Sequence, residues 1–153
     1  GRWLVLSADG SGASIAAALD AEIVPSWTER SFEPDGVVSF LDAAATLELV
    51  RSVIGTGTKI WAVTHGAVST GPDDRLTSPE QAKVWGLSRV VALEHPEVWG
   101  GVIDADDQTD AVLAVLADGT EDQVAVRPNG VFARRLMPAA KPIAGDGRSP
   151  GRR

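Results

Sequence analysis

The sequence predicts an α/β domain: a mostly parallel sheet with helices on both faces, closed by a C-terminal β-hairpin. Three observations predict it. Short apolar runs alternate with helix-period segments over some 120 residues, the pattern of repeated strand–helix–strand units. The early runs are β-branched and continuous, as strands covered on both sides are. The last two runs alternate apolar with polar and flank Pro128-Asn129-Gly130, a hairpin signal. A chain of 153 residues fits one domain and buries roughly 68–70% of its unfolded surface.

Each element has a local reason. Trp3-Leu4-Val5-Leu6 is a buried strand, closed by the loop Ser7-Ala8-Asp9-Gly10-Ser11-Gly12. Ala13 to Leu19 is alanine-rich and helix-prone, with Ile15, Ala18 and Leu19 on one face. Ala21 to Val24 forms a short strand that Pro25 stops or confines to an edge. Gly36 to Leu41 is the next strand, and Asp42 caps a helix whose apolar stripe is Leu47, Val50, Val53 and Ile54. Gly55 and Gly57 end that helix, and Lys59 to Thr64 is a strand. Ser78-Pro79-Glu80-Gln81 reads as a capping box with proline at the first helical position. The helix it opens runs through Leu93 and stops before Pro96. Gly101 to Asp104 is a strand, Thr109 to Leu116 a helix, and Gln123–Arg127 with Val131–Leu136 the hairpin. The connections imply right-handed crossovers and a Rossmann-like sheet. After Pro138 the composition turns to Lys, Pro, Gly, Asp and Arg, so residues 139–153 read as a flexible linker.

Composition narrows the chemistry. The chain has no Cys, which excludes disulfides, thiolate metal sites and cysteine nucleophiles. It has no Tyr, so no phenolic acid is available. Its two histidines, His65 and His95, do not make a structural zinc site. A formal charge of −7 argues against a nucleic-acid surface. The tail carries Lys141, Arg148, Arg152 and Arg153 against Asp146, a net of +3 that leaves −10 on residues 1–140. No signal-peptide pattern and no membrane-spanning run occur, so the expected compartment is the cytoplasm.

Several constellations invite a functional reading, and each has a plainer one. Gly10-Ser11-Gly12 sits where a dinucleotide fold places its phosphate loop, but residue 15 is Ile and no acid follows Ile23-Val24. A turn is the favoured reading. His65, at the end of a strand, can be drawn with Ser69 and Asp73 or Asp74 as a hydrolytic triad, without any Gly-x-Ser-x-Gly elbow. His95 suits a helix C-terminus. Asp104, Asp106, Asp107 and Asp110 suggest a metal loop but lack the Gly and Glu of an EF-hand, so a polar loop that caps the next helix is favoured. Arg134-Arg135 reads as a solvated or salt-bridged edge. Lys83 lies on the helix where short-chain dehydrogenases carry a Tyr and a Lys four residues apart, yet Pro79 stands in the Tyr position.

Three blocks carry a resemblance. Trp61-Ala62-Val63-Thr64-His65-Gly66-Ala67-Val68, the run from Ser78 to Pro96, and Trp99-Gly100-Gly101-Val102-Ile103-Asp104 are similar to the ketoreductase region of modular type I polyketide synthases. Glu121 to Arg127 and Val131 to Leu136 resemble it equally, so the blocks cover residues 59–136, and the first 58 residues match more loosely. The resemblance is to the N-terminal half of that region, a truncated, short-chain-dehydrogenase-like subdomain that is structural and non-catalytic. It implies a domain over residues 1–138 and a linker toward a catalytic half absent from this chain. It implies a scaffold that packs against and stabilises the catalytic half, which binds NADPH and reduces the β-keto group of a polyketide held on an acyl carrier protein. No catalytic, cofactor or metal residue is carried over, and NADPH is expected on the other half. The partners implied are that half and other synthase domains, with no nucleic acid and no membrane. The helix from Ser78 to Leu93 is apolar almost all round, so Val84, Trp85, Leu87 and Val91 are candidates for the interface; an equal alternative is that the helix is central to this domain's own core. An independent dinucleotide-binding module, or a degenerate dehydrogenase-like one, is the alternative function.

Overall fold

The structure, a computed structural model, describes residues 1–139. Apart from Ala139, the expected linker lies outside the described residues. The strands are β1 (Trp3–Leu6), β2 (Glu22–Val24), β3 (Gly36–Ser39), β4 (Lys59–Thr64), β5 (Trp99–Ala105), β6 (Gln123–Arg127) and β7 (Gly130–Ala133). The helices are α1 (Ala13–Leu19), α2 (Ala43–Val53), α3 (Ala82–Glu94) and α4 (Thr109–Asp118). One seven-stranded sheet has the order β2-β1-β3-β4-β5-β6-β7. Its first six strands are parallel, and β7 returns antiparallel on β6 as the expected hairpin.

The sheet is covered on both sides because its strands alternate between two cores. Leu4, Leu6, Val37, Ile60, Ala62 and Val102 meet Leu49, Val50 and Val53 of α2 and Val84, Trp85 and Val91 of α3. Val5, Val38, Trp61, Val63, Ile103, Val124 and Val126 meet Ile15 and Ala16 of α1 and Val112 and Leu116 of α4. Each fully buried aliphatic side chain contributes about 1.5–3 kcal/mol, so the continuous runs of β1, β3 and β5 are the main source of stability. Trp61 fits only because Gly100 and Gly101 lack side chains. A Cβ at either position would lie 2.3 or 2.6 Å from its indole.

One crossover departs from the expected hand. From β3 to β6 the chain steps in one direction across the sheet, with α2 and α3 on one face and α4 on the other. The β5–α4–β6 connection therefore has the opposite hand to its two predecessors. The loop after β4 already covers the α3 face of β6, held there by Arg127, and α4 packs beside α1 instead.

Element ends differ from expectation where tertiary contacts intervene. α3 begins at Ala82, with Gln81 as its N-cap, and Ser78–Gln81 forms tight turns before it. The capping box does not form: Ser78 N–H donates to Gly66 O (2.8 Å), and Gln81 Oε1 accepts from His65 N–H (2.8 Å). Ile54 is the C-cap of α2 and is exposed, and Thr46 and Leu49 complete the buried stripe in its place. Asp42 caps α2 as expected, accepting from Ala45 N–H at 2.8 Å. β3 ends at Ser39 and β7 at Ala133, both short of expectation, whereas β5 starts two residues earlier at Trp99. Among the described residues no helix is long and apolar enough to cross a membrane.

Candidate functional site

The chain turns from β1 outward to β2 and then resumes on the other side of β1 with β3. That reversal opens a crevice at the carboxyl ends of the strands, where open α/β sheets bind ligands. A cavity of about 630 Å3 lies there, lined by the β1–α1 turn, Phe40 to Asp42, the end of β4 and the β5–α4 loop.

The glycine turn in this crevice is occupied by the protein itself. Gly10 and Gly12 both have φ of 82°, so the turn uses the left-handed freedom of glycine. A Cβ on Gly12 would sit 2.2 Å from the Phe40 ring, so Phe40 lies directly over the second glycine. Asp9 Oδ1 accepts from Ser11 N–H (2.9 Å) and Ser7 Oγ (3.0 Å). Hydrogen bonds from Ser11, then from Ser7, hold the Asp9 carboxyl below the usual carboxylate range. Where a dinucleotide site presents backbone N–H groups to a phosphate, this turn presents an aromatic ring and a carboxylate.

The other candidates separate. His65 follows β4; its Nδ1 lies 3.1 Å from Ala105 O and 3.3 Å from Asp106 Oδ1. Ser69 Oγ donates to Gly71 O, and Asp74 accepts from Thr70 and Arg127. Among the described residues no hydrogen bond joins His65 to Ser69, Asp73 or Asp74, so the drawn triad does not assemble. Asp104 is buried against Arg127, Asp106 lies beside His65, and Asp107 receives Thr109 N–H only through its backbone oxygen. The N-cap of α4 is Gln108, without a side-chain cap, so the expected capping by the aspartates does not occur. Among the described residues no three metal-ligating side chains are grouped to hold an ion. His95 is the C-cap of α3, with its N–H on Val91 O at 2.7 Å. Arg135 pairs with Glu121 and Arg134 reaches Gln123, a salt-bridged edge. Lys83 pairs with Glu80 at 2.7 Å on the outer side of α3, and that bond raises its pKa.

The α3 side chains named as interface candidates pack inward, as in the alternative reading of a helix central to this domain's core. Val84, Trp85 and Val91 are 2–5% exposed and belong to this domain's own core, and Leu87 is half-buried against it. The apolar surface that α3 leaves outside is Gly86, Val90 and Leu93, spaced i, i+4 and i+7, with Leu93 84% exposed.

Sequence reasoning missed the densest polar cluster. Arg127 uses all five of its N–H donors. Nε donates to Asp74 Oδ2 (2.9 Å); Nη1 to Asp104 O and Val126 O; and Nη2 to Val68 O and Asp104 Oδ2 (2.6 Å). Asp104 Oδ1 also accepts from Thr64 Oγ1 (2.6 Å) and Ala67 N–H (2.9 Å), and Trp85 Nε1 donates to Thr64 Oγ1 (2.9 Å). Burial opposes the charge on Arg127, but bonding to Asp104 and Asp74 outweighs it and raises its pKa. Burial likewise opposes ionisation of Asp74, while the Thr70 N–H and Arg127 hold its pKa below normal. The cluster ties the β4–α3 loop, β5, β6 and α3 together. Its Asp74 and Arg127 border a hollow of about 340 Å3 beside Asn129 and Phe132, while Asp104, Thr64 and Trp85 are buried beneath.

Comparison with known proteins agrees with this geometry. Residues 2–136 match the family described as "Polyketide synthase extender module SpnB, Rossmann fold domain", so the match takes in the first 58 residues as well as the later blocks. The pikromycin synthase component PikAII of Streptomyces venezuelae is 47% identical over 127 residues, 78% of this chain and 3% of that protein. Erythronolide synthase EryA3 of Saccharopolyspora erythraea is 40% identical over 139 residues, 85% of this chain and 4% of that protein. A C2-type ketoreductase from a modular polyketide synthase superposes with a TM-score of 0.79 at 40% identity, over 93% of this chain and 41% of that one. An A-type ketoreductase gives 0.82 at 34% identity, over 98% and 41%. The chain thus spans less than half of the solved ketoreductases and a few per cent of the curated synthases. It belongs to the SpnB-type Rossmann-fold family of polyketide synthase extender modules.

Proposed function

We propose that this chain is the non-catalytic, structural part of a polyketide synthase ketoreductase. It packs against the NADPH-dependent catalytic part and stabilises it for reduction of a β-keto group on an acyl-carrier-protein-bound chain, in the cytoplasm. The observation that carries this reading is the crevice: in a Rossmann-like sheet its glycine turn is covered by Phe40 and fronted by Asp9. The absence of Tyr supports it, since the family's reaction uses a Tyr acid. Coverage of 41% of two ketoreductase chains leaves room for a catalytic part elsewhere in a longer polypeptide. The outer stripe of α3, Gly86, Val90 and Leu93, is the surface we assign to the contact.

The test is co-expression of the catalytic part with and without residues 1–139. Loss of soluble, NADPH-consuming enzyme without them supports the scaffold; equal yield and activity without them refutes it. Titration of the chain alone with NADPH, followed by quenching of its five Trp, separates the dinucleotide-binding alternative. No quenching is expected, and saturable quenching at physiological concentration would favour that alternative.

A further inference from the structure

Asn129 is the single asparagine of the chain, and a glycine follows it. The fold requires that glycine. Gly130 opens β7 with φ of 150°, a backbone state that residues with a side chain rarely adopt. It follows the two-residue loop Pro128-Asn129, which joins the paired ends Arg127 and Gly130 of the hairpin. The turn thus sets an asparagine amide next to the least hindered backbone nitrogen a chain can offer.

The surroundings leave both groups accessible. A Cβ on Gly130 would meet nothing closer than the Phe132 ring, at 3.7 Å. Asn129 is exposed. Among the described residues no hydrogen bond holds its side-chain amide. The Asp-Gly pairs of the described residues are held instead. Asp9 Oδ1 accepts from Ser7 Oγ and Ser11 N–H, Asp35 Oδ2 accepts from Arg2 N–H at 2.6 Å, and Asp118 accepts from the Thr120 hydroxyl. A carboxylate is also a weaker electrophile than an amide.

We propose that Asn129 is a site of spontaneous covalent modification, closing on the Gly130 nitrogen to form a cyclic imide. That nitrogen bonds to Asn129 Cγ and gives its proton to hydroxide or a buffer base. The Cγ–Nδ2 bond breaks, and the amide nitrogen takes up a proton and leaves as ammonia. Water then opens the ring. Addition at the side-chain carbonyl yields aspartate, and addition at the main-chain carbonyl yields isoaspartate. Nothing is oxidised or reduced. Arg127 and Gly130 form the last rung of the hairpin, and only that rung has to open for the attack. Terminal rungs open with a free energy near zero, so the fold slows the reaction without preventing it.

The products act on the hairpin. Either one adds a carboxylate to a hollow that Asp73, Asp74 and Asp106 already line. Arg127, the cation of that lining, is already bonded to Asp74 and Asp104. Isoaspartate also inserts a methylene into the main chain, so the two-residue loop no longer fits the Arg127–Gly130 pairing. This inference is independent of the scaffold function, because it concerns the chemistry of one turn.

The experiment holds the 153-residue chain at mildly alkaline pH and physiological temperature, in buffer and in guanidinium chloride, and follows its mass. In buffer we expect a gain of about 1 Da confined to the peptide carrying residue 129. Its rate should be several-fold below that in denaturant. Methyl transfer by a protein isoaspartyl methyltransferase identifies the isoaspartate. Asn129→Ser should gain no mass, and the aged wild-type chain should melt below Asn129→Ser aged beside it. Should that variant misfold, the peptide map still locates the change in the wild-type chain, and its fresh and aged melts are compared directly. Absence of a gain in buffer overturns the proposal, whatever happens in denaturant. So does a gain that maps to Gln81, Gln108 or Gln123, or an aged chain that melts as the fresh one does.

Discussion

Replacing Arg127 with Met removes the centre of the buried cluster while keeping its length and apolar stem. The Arg127 side chain is 5% exposed and that of Asp104 is fully buried, so neither charge is hydrated. In the variant, the Asp104 carboxylate keeps only the Thr64 hydroxyl and the Ala67 N–H. Asp74 and the Val68 carbonyl lose their ties to the sheet as well. Removing one partner of a buried pair costs about 3–5 kcal/mol, because the remaining charge stays uncompensated. At about 2–4 °C per kcal/mol for a chain of this size, the melting temperature should fall by roughly 6–20 °C. Urea denaturation and calorimetry measure both quantities. Arg135→Met removes an exposed pair with Glu121 and provides the control, with no measurable shift expected. The double variant Asp104→Asn/Arg127→Met should lose less than the sum of the single losses, since both break one interaction. A loss below about 1 kcal/mol in Arg127→Met, or strict additivity in the cycle, would refute the assignment of Arg127 as the clamp of the β4–α3 loop.

Three further outcomes follow from single contacts. Asp42→Ala removes the N-cap bond to Ala45 and should cost about 1 kcal/mol, read by urea denaturation. Gly101→Ala places a Cβ 2.6 Å from Trp61 and 2.8 Å from the Asp122 carbonyl oxygen, so about 1–3 kcal/mol of overpacking should appear in a thermal melt. Asp74 has a lowered pKa when folded, so the unfolded chain binds its proton first. Its contribution is complete above the ordinary value of 3.8 and is lost as pH falls through the lower folded value. Stability measured from pH 5 down to about pH 2 should therefore fall less steeply in Asp74→Asn than in the parent.

The legible features are those with a local cause. Period-2 and period-3.6 patterns placed every strand and helix in order, and Asp42 was readable as a cap because its partner is three residues away. The Ser78 capping box had the same local signature and failed, because Gly66 and His65 compete for its groups from across a loop. The α3 side chains were ambiguous for a related reason. A helix apolar all round is marked for burial, but the sequence does not say which side meets the sheet. Trp85 is turned inward by the Thr64 hydroxyl, 21 residues away, and that leaves Val90 and Leu93 outside.

The sequence alone determined the fold class, the order of elements and the lack of a phenolic acid, since composition and short-range periodicity act within a few residues; the family was carried by the resemblance of its residue blocks. Tertiary structure decided the rest. It set Phe40 over the glycine turn, the face taken by α4 and the outer stripe of α3. It also brought Arg127 to Asp104, Asp74 and Val68 across 23, 53 and 59 residues. No local pattern records such a meeting, because it exists only after the strands carrying these groups have been brought side by side.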